Sequence, residues 1–419
     1  MQTKTPTKPR ICFALPGINY IAHSPRCLST LPILQHLSQD FEVTLVFRSL
    51  LEEQGLPCRT LTILDRPDPT ANSNGYFTPL DPQAAWDYGQ QIQRFAADHR
   101  GQFDLVIEKE WHLLGLFAQA FRRQGVAGLA IHHAEFTQSP GQWRGLGILK
   151  NLPTILFRRW LPELRRGWVR GCQGVITETT QMQHFLRESG YLAPTTPIYA
   201  IPNGIDPQIF HPQDQATARA RLGLPQDQYI LTYVGSLNRY IQEPGPLIEA
   251  LGQIQPKGVV LHIIGDGSKR GELEALARAH QAPVTFWGRV PQAEVAHYIA
   301  AADLCVAPYR RELFQGGELT VASLKVPEYL AAARPVLTLP SPRMAELLAE
   351  GPRGFLVENT TPDYCQFLKN PPPRAQLQQM AQRIAAQPDL IPTWQQVAQR
   401  YQAAIQPHLP LLAGSATPN

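Results

Sequence analysis

Apolar residues are grouped in short unbroken runs along the first half of the chain: "ICFAL" (11–15), "EVTLVF" (42–47), "FDLVI" (103–107), "VAGLAI" (126–131) and "QGVIT" (173–177). Helix-patterned stretches separate them. Runs rich in Val, Ile and Leu, without polar alternation, predict strands covered on both faces. The first strand should end at a turn with Pro16 and Gly17, and a helix should begin near Ser24. "IPNGIDPQIFHPQ" (201–213) breaks the pattern with prolines and Asn-Gly, the signature of a turn or linker. Alternation restarts with "YILTYV" (229–234), "VVLHII" (259–264), "VTFWG" (284–288), "DLCVAP" (303–308), "PVLTL" (335–339) and "GFLVE" (354–358). Strand–helix alternation on both sides of a linker predicts an α/β chain with two Rossmann-like, doubly wound domains, 1–200 and 201–389. In the terminal "DLIPTWQQVAQRYQAAI" (389–405), Trp394, Val397, Tyr401 and Ile405 form one apolar helical stripe. That helix, spanning about 390–406, is expected to return to the first domain.

Residues 67–82 and 134–150 read as long loops, a length often tied to function. The 419 residues are 43% hydrophobic and 17% charged, the balance of ordered cores rather than disorder. A net charge of +4 gives no case for nucleic acid. The six cysteines are scattered, which suits a reducing compartment. No secretory leader and no membrane-spanning run is read, and a cytoplasmic location is expected.

The chemistry begins at "VVLHIIGDGSKRGELEALARA" (259–279). A strand meets Gly265 and Gly267 and passes into a helix, where free amides and the helix dipole favour phosphate. A tight turn needing glycine for its φ angles explains the same residues equally well. The acid that a dinucleotide site uses on a ribose is missing, so hydride transfer has little support. "YVGSLNR" (233–239) and "WGRVPQAEV" (287–295) are two more strand–glycine turns. In "SLKVPEYLAAARPV" (323–336), Lys325 and Glu328 stand three apart at a helix start. The ammonium suits diphosphate and the carboxylate suits ribose hydroxyls, although a solvated helical pair has the same spacing.

In order, "IPNGIDPQIFHP", "YVGSL", "LIEAL", "LHIIGDGSKRGELEALA", "VTFWGRVPQAEVAHYIAAADLCVAPY", "SLKVPEYLAAARPVLT" and "GFLVE" resemble the nucleotide-sugar domain of the group 1 glycosyltransferases (glycosyltransferase family four). The resemblance covers about residues 198–360. "RICFALPG", "IHHAEF" and "GVITET" extend it more weakly into the first half. It implies the GT-B fold, two Rossmann-like domains facing each other across a cleft, and transfer of a hexose from a nucleoside-diphosphate sugar with retention of configuration. By resemblance Glu328 holds the donor ribose and Lys325 lies near the phosphates. Arg289 and Val290 face the base, while Gly235 and Ser236 face the diphosphate. Gly17 faces the reacting centre, and His132, or less favourably His133, lies near the sugar. Two departures stand out. The first glutamate of the family pair is replaced by Thr320, with Glu318 two residues away. The usual cations after the "VG" turn are absent, leaving Arg239 to support the leaving group with Lys325. No Asp-x-Asp motif suggests a metal, and no cofactor is expected.

"NLPTILFRRWLPELRRGWVRG" (151–171) places Leu152, Leu156, Trp160, Leu161, Leu164 and Trp168 on one half of a helical wheel. Arg158, Arg159, Arg165, Arg166 and Arg170 take the other half. Such a helix suits an anionic membrane surface, and equally a domain helix with a solvated basic face. On the first reading the acceptor is a glycolipid, such as a diacylglycerol glycolipid receiving a hexose from UDP-glucose or UDP-galactose. The alternatives are a sugar acceptor in polysaccharide or oligosaccharide assembly, or a nucleotide-sugar-binding scaffold without turnover.

Overall fold

The computed structural model describes residues 8–21, 24–51, 56–66, 75–77, 81–132, 152–238, 241–314, 322–349 and 353–410. Their contacts form two compact units. One takes the chain through Pro202 and again from Trp394, and the other takes Asn203–Thr393.

The first unit holds a seven-stranded parallel sheet: β1 (Arg10–Tyr20), β2 (Glu42–Leu50), β3 (Arg59–Thr62), β4 (Leu105–Lys109), β5 (Ala127–His132), β6 (Gly174–Thr177) and β7 (Ile198–Ala200). Their spatial order is β3-β2-β1-β4-β5-β6-β7. Every residue of β4 is buried, as a parallel strand with helices on both faces requires. The first strand runs further than its apolar pattern suggests. It continues through Pro16 and Gly17 to Tyr20, and its register against β2 slips between Leu15 and Asn19. Gly17 therefore lies in an irregular strand rather than a turn. Its carbonyl accepts from the Phe77 amide, and Ile18 bridges Tyr76, so this part of the expected 67–82 loop pairs with β1.

The second unit holds a six-stranded parallel sheet: β8 (Tyr229–Val234), β9 (Val259–Ile264), β10 (Val284–Gly288), β11 (Leu304–Ala307), β12 (Val336–Thr338) and β13 (Gly354–Leu356), ordered β10-β9-β8-β11-β12-β13. Both sheets reverse their winding beside the first strand, between β1 and β4 and between β8 and β11. In such sheets the crevice at the carboxyl ends of these strands receives ligands.

Pro16 and Gly17, normally turn signals, hid the length of β1. β3 and β7 were not read from the sequence, because four polar-mixed residues and three residues leave too little pattern. The terminal helix, Trp394–Ile405, buries Trp394, Val397, Tyr401 and Ile405 and packs on the helix Leu31–Leu37 inside the first unit. Each such side chain contributes about 1.5–3 kcal/mol by leaving water.

Candidate functional site

At the switch point of the second sheet, three strand ends are linked by their backbones. The Gly235 amide donates to the Ile264 carbonyl at 2.8 Å, and the Gly265 amide donates to the Gly288 carbonyl at 2.7 Å. Gly265 has φ 141°, and a Cβ there would fall 1.9 Å from the Gly235 oxygen. Glycine thus allows two turns to touch, a role beyond the φ requirement alone. A Cβ on Gly267 would fall 2.5 Å from the Leu237 carbonyl carbon. The same two loops are tied by Leu237 N–H to the Asp266 carbonyl (3.0 Å) and by Ser268 N–H to Asn238 Oδ1 (2.8 Å). Asn238 in turn donates to Ser236 Oγ at 2.9 Å, and Ser236 is exposed.

Lys325 opens the helix Lys325–Ala331 and lays its side chain on this platform. Its Nζ lies 5.9 Å from the centre of the Tyr233 ring. Glu328 is one turn further on. Both are half-buried, and among the described residues neither side chain has a hydrogen-bond partner. Burial lowers the Lys325 ammonium to about 8, opposed by the charge of Glu328. Burial raises the Glu328 carboxyl to about 7, opposed by Lys325. A cation and a carboxylate held beside glycine turns can engage a diphosphate and a diol.

Two anchors of this arrangement were not read from the sequence. Tyr329 Oη accepts from the Val234 amide at 2.9 Å, fixing the helix to the end of β8. Asn203 donates to the Ala322 carbonyl at 3.0 Å, holding the segment that leads to Lys325. Beneath the loops Lys269 pairs with Glu243. Arg289, which is exposed, and Val290 follow Gly288 at the end of β10. Arg239, Glu318, Thr320 and His133 lie outside the described residues, as do the expected loop 134–150 and most of 67–82.

In the first unit β4 and β5 end side by side, with Lys109 opposite Ile131. Glu110 and His132 follow. His132 is fully buried, with Nδ1 2.9 Å from Glu110 Oε2. Arg165 Nη2 donates to Glu110 Oε1 at 2.6 Å. Gly17 lies on the Trp111 side chain, where an added Cβ would come within 2.7 Å. Trp111 donates to Glu108, a buried carboxyl that burial raises to about 7. These buried charges passed unread because "EKEW" (108–111) looks like the polar end of a strand.

The helix Leu152–Arg170 forms with Pro162 inside it. Its apolar half divides. Leu161 is buried, and Phe157 and Trp168 pack on the core. Leu152, Leu156, Trp160 and Leu164 remain 46%, 47%, 61% and 43% exposed. The arginine face also departs from expectation. Arg165 binds Glu110, Arg166 donates to the Ser189 carbonyl at 3.0 Å, and Arg170 donates to the Tyr191 carbonyl at 2.9 Å. Arg158 is half-buried and Arg159 is exposed.

Among the described residues no helix is long and apolar enough to cross a membrane, and no group of three or more His, Cys, Asp or Glu is placed to hold a metal.

Residues 32–209 match the family model "Glycosyltransferase Family 4", and residues 228–366 match "Glycosyl transferases group 1". D-inositol 3-phosphate glycosyltransferase of Segniliparus rotundus is 29% identical over 42% of this chain and 39% of its own. The protein of the same name from Streptomyces avermitilis is 30% identical over 67% of this chain and 60% of its own. The chain thus spans less than two thirds of these curated relatives. In fold it is similar to Anabaena HepE solved with UDP-glucose (TM-score 0.69, 15% identity, 95% of this chain and 99% of that one). It is likewise similar to sucrose-phosphate synthase from Thermosynechococcus elongatus (TM-score 0.67, 18% identity, 96% and 99%). These likenesses agree with the two doubly wound sheets of the GT-B class. The matched regions take in most of both sheets, and the chain belongs to the group 1 glycosyltransferases.

Proposed function

We propose that this protein moves a hexose from a nucleoside-diphosphate sugar, UDP-glucose or UDP-galactose, to the hydroxyl of a membrane glycolipid. The observation that carries the donor half is the Lys325–Glu328 pair, half-buried at the switch point beside Gly235. Lys325 and the turn amides take the negative charge that grows on the diphosphate as its bond to the anomeric carbon breaks. Glu328 accepts from the ribose hydroxyls. The acceptor oxygen forms the new bond to that carbon, on the face the diphosphate leaves, and loses its proton. This reading calls for no metal and no cofactor. The related fold of HepE, solved with UDP-glucose, supports the choice of donor.

The acceptor half rests on the exposed stripe Leu152, Leu156, Trp160 and Leu164, on a helix with five arginines and one glutamate. An apolar face with an exposed tryptophan on a basic helix suits the surface of an anionic bilayer. The protein is then peripheral, on the cytoplasmic face of a membrane. The test is release of UDP from UDP-glucose, with and without anionic vesicles carrying a diacylglycerol glycolipid. Expected are turnover raised by the vesicles, a glycosylated lipid product, and loss of both in Glu328→Ala. Binding of UDP-glucose with no turnover on any acceptor would instead support a scaffold.

A further inference from the structure

His132 and Arg165 meet on one carboxylate that the sequence pattern did not single out. Glu110 is 7% exposed and holds Arg165 Nη2 on one oxygen (2.6 Å) and His132 Nδ1 at the other (2.9 Å). The Nδ1 contact is short, although its angle is not that of a straight hydrogen bond, as resting sites often show. Arg165 comes from the helix that carries the exposed stripe, and His132 ends β5. A carboxylate only accepts, and a guanidinium only donates. With Arg165 on one oxygen, the other is left to accept a proton from the ring.

We propose that Glu110 is a positioning residue for His132. By taking the Nδ1 proton it fixes the neutral ring in the tautomer with bare Nε2, so that Nε2 accepts from a substrate hydroxyl. Arg165 locks the carboxylate in place and ties the stripe-bearing helix to the histidine. The role in turnover rests on the reading of His132 as the group beside the transferred sugar. The tautomer does not.

The isosteric change Glu110→Gln makes a sharp test. Arg165 claims the amide oxygen, because only that end accepts. The amide nitrogen must then face Nδ1 and donate to it, which drives the ring proton to Nε2. Releasing the amide with a second change, Arg165→Met, lets it flip and restores the original tautomer. The readout is ring 15N shifts of the full-length protein, selectively labelled at its 12 histidines, with His132→Asn to assign the signal. Expected are Nδ1–H in the parent, Nε2–H in Glu110→Gln and Nδ1–H again in the double variant. UDP release from UDP-glucose should fall about 10- to 100-fold in kcat in the single variant, with KM within about twofold, and recover in part in the double variant.

Nε2–H in the parent, or an unchanged ring in Glu110→Gln, overturns the proposal even if the protein turns over its donor. A reversed tautomer with unchanged kcat overturns the positioning role. A parent with the expected tautomer but no donor turnover overturns the functional reading instead.

Discussion

The Lys325 side chain lies across the backbone of Gly235. A Cβ on residue 235 would fall 2.2 Å from Lys325 Cε and 2.7 Å from Nζ. The absence of a side chain at one strand end is what seats the cation at another element. Lys325→Ala should weaken UDP binding about 10- to 100-fold, the scale of a charge-assisted contact. Gly235→Ala should weaken it about 10-fold by pushing the ammonium aside. Titration calorimetry reads both, and equal affinity for UDP in parent and Lys325→Ala would remove the lysine from the phosphate site.

Gly265→Ala meets a harder obstacle, since the added carbon would strike the Gly235 carbonyl oxygen rather than a flexible side chain. The second unit should lose about 1–3 kcal/mol through backbone strain, with weaker UDP binding alongside. Gly271→Ala, which meets nothing within 4 Å and lies inside a helix, is the control and should leave both nearly unchanged. Denaturant melts of the two variants separate the outcomes.

Burial sets the pH behaviour of the donor site. Glu328 is ionised above about 7 and Lys325 is protonated below about 8, so UDP affinity should peak between these values. The two ionisations belong to the coupled pair. Stability should run the other way. A carboxyl with a raised folded value stabilises at low pH and loses that contribution as pH rises through about 7. A lysine with a lowered folded value stabilises at high pH and loses that contribution as pH falls through about 8. The pair therefore destabilises most where it binds best. Lys325→Met combined with Glu328→Gln should raise Tm near pH 7.5 by about 2 °C or more and flatten its dependence on pH. A double variant less stable than the parent at that pH would contradict this.

The apolar stripe is separable from folding because it is exposed. Changing Leu152, Leu156, Trp160 and Leu164 together to Ser should leave the melting curve close to that of the parent. Flotation with anionic vesicles should drop about tenfold or more. Neutralising Arg159 should reduce flotation modestly. Neutralising Arg165 or Arg166 should also disturb the fold, since both bind protein groups. Equal flotation of parent and stripe variant would mean that another surface meets the lipid.

The strands that carry the donor site were legible because buried parallel strands are unbroken apolar runs, and β8, β9 and β10 match their patterns residue for residue. Glycine spacing pointed to the right turns. It could not reveal that Gly235 and Gly265 touch, since thirty positions separate them. The pairs Glu110–Arg165 and Lys269–Glu243 were hidden for the same reason: local patterns report faces, and partners across a fold leave no period. The basic helix was recognised, but its wheel gave a single apolar half where the protein uses two, one inward and one outward.

The helix Trp394–Ile405 completes the first unit from the far side of the second. During synthesis, about 190 residues emerge between the two parts, a delay of about 10–40 s at ordinary elongation rates. Throughout that interval the apolar surface on Leu31–Leu37 waits uncovered, so the half made first is the half finished last. A chain stalled or clipped before Trp394 should leave the ribosome with its amino-terminal half sticky and chaperone-bound, however well its carboxyl half has folded.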